Sequence, residues 1–381
     1  MDQTAAAMPP DHIATADEQT LRSWYAALRA HVATHDALAP LAPMLAEREA
    51  WSREPDAALK LHLSVCRGAA LDFSGRLEVA LIAAIDSYLR QSLFLPSIGL
   101  RDPQTVSVAR AHADEMDRRS HSLLSVLPEA KVVEMRKWFE SKPALLGDQV
   151  GVGFPISVAQ ARQQANFARF PTTTVMACPH LMEIAADPLV LAAVERHLGV
   201  LPTVLGVAAW WSFADRAVAE RTQLFHWDGA FDLRYCKLLI YLTDVDEAGS
   251  PHQIYEGTHG PAALSRLSRQ RPTDGSAILH WYMRPEWKTD EETLRWFGHP
   301  PTVIAGSAGT RFLTSTRALH RAALPSCGDR LMCQVIYGVS PRRQVADIGC
   351  RPLSEVRGGT LPPALLDRPF GYINRLFLER G

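Results

Sequence analysis

The chain has 381 residues, 47% of them hydrophobic and 21% charged, with a formal net charge of -1 and a pI near 6.9. That is enough apolar material to bury the core of one elaborated domain or two, and a near-neutral balance with no basic stripe gives no footprint for nucleic acid or an anionic membrane. The six cysteines, at 66, 178, 236, 327, 333 and 350, contain no C-x-x-C pair; this argues against a zinc site or a disulfide framework and for a reducing, cytoplasmic setting.

Residues 1–10 lack a cationic start followed by an apolar stretch, so no secretory signal is expected. The longest apolar run, 79–85, is far too short to span a bilayer. The first third reads as helical. Residues 16–32 carry Leu21, Trp24, Tyr25, Leu28 and Val32 at three-and-four spacing, and Leu59, Leu61, Leu63 and Val65 follow an acidic start at Glu54 and Asp56. The broadest stripe, Leu77, Leu81, Ile82, Ile85, Leu89 and Leu93, predicts a helix over 76–95. Asp102-Pro103 opens a further helix over 106–124, and Pro128 one that ends near Phe139. These stripes are expected to pack residues 1–150 as a helical region against a core at 151–345, with 346–381 as an extension.

A helix is expected over 160–170, and another restarts at Asp187-Pro188 and stops at Gly199. Residues 203–213 are β-rich, and adjacent Trp210 and Trp211 must face opposite ways; Trp211 is taken as a candidate for lining a binding pocket. Next comes Phe225-His226-Trp227-Asp228-Gly229. On a strand, side chains alternate, so His226 and Asp228 point together while Trp227 points away. A third ligand is best supplied by His320. Two imidazoles and one carboxylate on one side of a metal leave the opposite side open, which suits non-haem Fe(II) that also takes a co-substrate and O2.

Around this pair lie a β-rich run at 234–245, a Gly249-Ser250-Pro251 turn, residues 254–259 ending in Gly257-Thr258-His259, and a strand at 328–337 that opens with Arg330. His-x-Asp, the YLTDVDE-G strand and turn, the GTH corner and a late His followed by Arg, in this order over residues 178–340, resemble the phytanoyl-CoA dioxygenase-like family of Fe(II)/2-oxoglutarate oxygenases. The ADP-L--AVERHLG run at 186–199 is similar to that family's lead-in to its core strands.

The resemblance implies an α+β fold with a double-stranded β-helix (jelly-roll, cupin-like) core, Fe(II) held by His226, Asp228 and His320, and 2-oxoglutarate and O2 as co-substrates. It implies oxidative decarboxylation to succinate and CO2 coupled to hydroxylation of an unactivated C–H bond. By the same resemblance Tyr241 lies beside the co-substrate. Ala322 departs from the pattern, since family members often carry a hydroxyl two residues after the distal His. Asp228 stands where related halogenases have a small residue, which favours hydroxylation over chlorination; desaturation, epoxidation or ring formation would use the same ligands.

Arg330 follows His320 by ten residues, room for a turn and a return strand. Charge counting gives it a role: Fe(II) with one carboxylate is left at plus one, a dianion overshoots, and a guanidinium restores neutrality while gripping the far carboxylate through two hydrogen bonds. If Arg330 faces inward, so do Met332 and Gln334, and Leu331, Cys333 and Val335 face a second layer.

Residues 260–305 form a lid-like insertion, with Trp281, Tyr282 and Arg284 as candidates for substrate contact. His180, His197, His252, His259, His280 and His299 are set aside as ligands, because none precedes a strand that opens with arginine. Residues 340–363 read as loop, and 369–378 as a segment that docks back. Two other classes remain open: a cupin-like metal enzyme that does not use 2-oxoglutarate, and a non-catalytic jelly-roll binding protein. The partner is expected to be a small molecule, whose identity motifs on a shared fold do not give.

Overall fold

The computed structural model describes residues 25–26, 28, 38, 57–72, 74–146, 154–229, 231–270, 274–284, 286–340, 353–356, 361 and 365–378. Most of the helix expected over 16–32, its successor's acidic start at Glu54 and Asp56, Cys350 and most of the loop expected over 340–363 lie outside the described residues.

The fold is α+β, with eleven described strands: β1 (His121–Leu123), β2 (Ala144–Leu146), β3 (Pro155–Ile156), β4 (Phe167–Arg169), β5 (Thr203–Ser212), β6 (Tyr235–Tyr241), β7 (His252–Ile254), β8 (Thr302–Ile304), β9 (Arg311–Thr314), β10 (His320–Ala322) and β11 (Arg330–Gly338). They form an eight-stranded sheet in the order β1-β9-β6-β11-β5-β4-β2-β3 and a three-stranded sheet in the order β10-β7-β8. Every pairing is antiparallel. Strands β1 and β2 come from the stretch expected to be a helical region ahead of the core, so that stretch contributes two strands to the large sheet.

The helices start and stop where side chains dictate. Asp102 accepts from Thr105 N at 2.8 Å at the head of helix Pro103–Arg119, an N-cap. That helix ends before the expected 124 because Ser120 turns left-handed (φ 67) and His121 begins β1. Asp187 accepts from Leu189 N at 3.0 Å to open helix Pro188–Leu198, which Gly199 closes with φ 77. The helix expected over 160–170 is shorter: a Ser157/Gln160 capping box opens Val158–Gln164, and the chain then extends into β4. The apolar residues that follow serve a strand buried against β5, not a helical stripe, since Phe167 and Ala168 are both buried and pair with Ser212 and Trp211.

The centre of the large sheet is covered on both faces, so β6 and β9 bury every residue. On one face Leu331, Cys333 and Val335 of β11 join Leu238 and Ile240 of β6 and Leu313 of β9 in the main core beneath the helices. On the other, Met332, Leu239, Tyr241 and Phe312 meet Ile254 and Ile304 of the small sheet. This is the alternation expected of β11. Helix Phe370–Leu378 docks onto the main core through Ile373, Leu376 and Phe377, with Arg375 Nη1 donating to Thr203 Oγ1 at 3.0 Å. Between β7 and β8 lie helices Pro261–Arg269, Gly275–Met283 and Asp290–Phe297, whose apolar residues pack with Phe225, Tyr255 and Leu319. Among the described residues no helix is long and apolar enough to cross a membrane.

Because neighbours on β9 face two different dry cores, Phe312→Ala and Leu313→Ala are each expected to destabilise by about 2–5 kcal/mol in urea unfolding. A sheet with one wet face would show a large loss in only one of the two.

Candidate metal centre

The backbone brings the two histidines together before their side chains do. His226 N–H donates to His320 O and His320 N–H to His226 O, both at 2.9 Å, so the His226 segment continues the small sheet alongside β10. Asp228 N–H donates to Thr316 O at 3.0 Å, which fixes the next turn of the same segment. Alternation sends Phe225 and Trp227 into the insertion's cluster and turns His226 and Asp228 the other way.

His226 Nδ1 lies 2.9 Å from Leu224 O and His320 Nδ1 2.9 Å from Ala318 O. A carbonyl only accepts, so each Nδ1 carries the proton and each Nε2 is left as a lone pair. Asp228 Oδ1 is 3.5 Å from His226 Nε2 and 3.9 Å from His320 Nε2, and the three donor atoms all lie within 4.8 Å of one another. Burial alone would raise the Asp228 carboxyl, but Lys237, His320 and His226 hold it well below the usual carboxylate range. Burial and the neighbouring His226 push the His320 imidazole down to about 3. Three electron-pair donors thus converge with no donated proton among them, a set that fits a divalent metal held on one side.

Lys237 was not singled out from the sequence. It is 8% exposed, on the β6 face that also carries Leu239 and Tyr241, and its Nζ stands 2.5 Å from Asp228 Oδ2 in an ion contact without hydrogen-bond angles. Strand parity could have found it, since Tyr241 read as inward makes Lys237 inward too.

Arg330 is 1% exposed at the start of β11. Its Nη1 donates to Ser250 O and its Nη2 to Ser212 Oγ at 3.1 Å, while its Nε has no partner. Among the described residues no carboxylate pairs with it, and burial lowers the guanidinium to about 10. Tyr241 also faces this interior, but its hydroxyl donates to Ile304 O at 2.8 Å and accepts from His252 N at 3.0 Å, tying β6 to both β8 and β7.

His252, set aside from the sequence, lies in the same interior. It pairs in register with Ala322, and its ring centre is 5.4 Å from that of His320. Burial, with His320 and Arg330 close by, holds it well below the usual imidazole range, so it is neutral. The imidazole is the cross-strand neighbour of Ala322, the position that departs from the family pattern by lacking a hydroxyl.

The candidates for substrate contact are distributed differently. Trp211 belongs to the core beneath the helices; its neighbour Trp210 packs on the inter-sheet cluster. Trp281 is 5% exposed and packs with Tyr282, Trp296 and Phe297 inside the insertion. Arg284 pairs with Glu292 at 3.2 Å and Glu286 at 3.8 Å. The insertion reaches the metal ligands through Trp287 instead, 43% exposed, with its ring edge-on to His226 at 4.9 Å.

Turn 315–318 supports two ligands, through Thr316 O and Ala318 O, and is clamped from both sides. Arg317, buried, donates to Glu78 Oε2 at 2.6 Å and Leu233 O at 2.9 Å, and Glu78 belongs to helix Arg76–Gln91. Tyr282 Oη donates to Arg317 O at 2.9 Å. A second His/Cys/Asp group, His62, Cys66 and Asp232, is also close-set. Its polar atoms are engaged within the protein: His62 lies between Tyr25 Oη (2.8 Å) and Ser340 Oγ (2.9 Å), and Asp232 accepts from Leu233, Val339 and Ser340 N–H.

The site is therefore a His/Asp/His trio, its histidines buried and its aspartate half-buried, with Lys237 against the aspartate. No family model and no curated protein matches the sequence. Among solved structures the chain is similar to the non-heme alpha ketoglutarate dependent epimerase SnoN from nogalamycin biosynthesis, at 13% identity and TM-score 0.39 over 62% of this chain and 83% of that one. It is similar to HygX from Streptomyces hygroscopicus, a structure with nickel, 2-oxoglutarate and hygromycin B bound, at 17% identity and TM-score 0.39 over 66% and 94%. It is also similar to EctD from S. alaskensis, with 2-oxoglutarate and 5-hydroxyectoine, at 15% identity and TM-score 0.40 over 60% and 75%. Likeness this distant assigns no residue a role.

Two substitutions test the scaffold of the site. Arg317→Met leaves Glu78 with one cation instead of two and is expected to cost about 3 kcal/mol in urea unfolding; an unchanged midpoint would remove the clamp. Tyr241→Phe strands Ile304 O and His252 N, for an expected loss of about 1–3 kcal/mol by the same measurement.

Proposed function

We propose that this chain is an Fe(II)/2-oxoglutarate-dependent dioxygenase of the phytanoyl-CoA dioxygenase-like kind, built on a double-stranded β-helix core, that hydroxylates an unactivated C–H bond of a small metabolite or biosynthetic intermediate. His226 and His320 would hold the metal through Nε2 and Asp228 through Oδ1. Bound there, Fe(II) with 2-oxoglutarate and O2 supplies the oxidising chemistry, releasing succinate and CO2.

The observation that carries this reading is Arg330. A guanidinium at 1% exposure, hydrogen-bonded to two neutral oxygens and to no carboxylate among the described residues, is costly to bury unless an anion shares its cavity. Its planar fork suits the far carboxylate of a keto diacid. A metal enzyme that does not bind a diacid has no use for it. The rest of the chain prepares the cavity: Ser212 and Ser250 orient the guanidinium, neutral His252 adds no charge, and the insertion sets Trp287 against the outer side of His226. Trp287 is the residue we assign to the substrate side, in place of Trp281.

Anaerobic titration of the metal-free protein with Fe(II), then 2-oxoglutarate, is expected to give the visible charge-transfer band of a chelated keto acid. His320→Ala abolishes it. Arg330→Met, losing charge-assisted bonds of about 2–3 kcal/mol, raises the 2-oxoglutarate required roughly 30- to 150-fold. Iron binding without a band would overturn the co-substrate and leave a cupin-like metal enzyme; no iron binding would overturn the site.

A further inference from the structure

The two oxygens of Asp228 face different partners. Oδ1 is 3.5 and 3.9 Å from the two Nε2 atoms, whereas Oδ2 is 2.5 Å from Lys237 Nζ. The backbone of Lys237 is fixed at the centre of the sheet, because β6 lies between β9 and β11, with Lys237 in register with Thr314 on one side and Ile336 on the other. Its side chain is 11% exposed and that of Asp228 15%.

We infer that Lys237 is a positioning residue that holds the outer oxygen of Asp228, so that the carboxylate offers the metal one oxygen and not two. The inference rests on the metal-binding reading of the trio. A carboxylate that swings round to chelate would occupy, with two imidazoles, four of six octahedral positions. A two-point co-substrate would then fill the site completely. Tied through Oδ2, Asp228 would take one position and leave three for other ligands, two for the chelate and one in reserve. The tie has a cost: an ammonium a few ångströms from a dication repels it, so metal affinity is lower than the trio alone would give.

These two effects have opposite signs, which separates them from a merely structural role. Lys237→Met is expected to bind Fe(II) at least about tenfold more tightly by anaerobic calorimetry. It is expected to bind chelators more weakly, again by about tenfold or more, since a second oxygen of Asp228 competes for their positions. Two chelators are used, 2-oxoglutarate and acetohydroxamate; the latter has no distal carboxylate for a lysine to grip. Metal tightened and both chelators weakened supports the inference. Metal and chelators weakened together would assign Lys237 to structure alone, and a loss confined to 2-oxoglutarate would make it a co-substrate ligand; either overturns the proposal, as does no change.

Should Lys237→Met not fold, Lys237→Gln decides, because an amide can donate to Oδ2 without charge. Tighter metal with the hydroxamate retained supports the tie, and loss of both overturns it. A wild-type protein that takes metal and hydroxamate but no 2-oxoglutarate refutes the co-substrate and leaves the Lys237 test intact.

Discussion

The reciprocal backbone hydrogen bonds between His226 and His320 are the constraint on which the site depends. The two lie 94 positions apart in the chain, yet each amide N–H reaches the other's carbonyl at 2.9 Å. Once that pair is made, strand alternation aims both imidazoles and Asp228 into one cavity. The carbonyls of Leu224 and Ala318, each two residues upstream of the histidine it meets, take the Nδ1 protons and leave Nε2 free. Orientation and tautomer are therefore set by main chain.

The parts outside the sheets are not decoration around this pair. Turn 315–318 supplies the carbonyls that fix His320 and Asp228, and it is held by Arg317 on Glu78 from the N-terminal third and by Tyr282 from the insertion. The buried pair is costly to desolvate, but breaking one partner leaves the other uncompensated, so it acts more as a register pin than as a source of stability. The N-terminal third also contributes strands β1 and β2, at the edge beside β9 and beside β4. The His/Asp/His trio thus sits where three separate stretches of chain meet.

Much of this was legible in the sequence because it depends on a period of two. His226 and Asp228 share a face, as do Arg330 and Met332, and Leu331, Cys333 and Val335 take the other. The same rule carries Lys237, the one charged residue of β6. What the rule cannot give is which face is which: Trp210 and Trp211 must oppose each other, but only the register with Met332 and Leu331 decides that Trp210 meets the inter-sheet core. His252 was hidden for a related reason, since its inward direction comes from pairing with Ala322 across β10. The helix expected over 160–170 failed because Phe167 and Ala168 owe their burial to β5, a tertiary fact that a local pattern cannot hold.

The charges of the cavity bear on the chemistry. Asp228 brings one negative charge, Lys237 and Arg330 bring two positive ones, and neutral His252 and His320 bring none. The protein's own groups therefore sum to plus one, and a divalent metal raises this to plus three. Two cations would then sit at separate places, the metal among the donor atoms of the trio and the guanidinium at Ser212 and Ser250. A monoanion can approach only one of them and leaves the other unpaired in a medium of low dielectric. A diacid reaches both and brings the total from plus three to plus one, against plus two for a monoanion. A doubly charged co-substrate therefore leaves less charge unmatched among these buried groups, which is why the charges suit a keto diacid better than a monoanion.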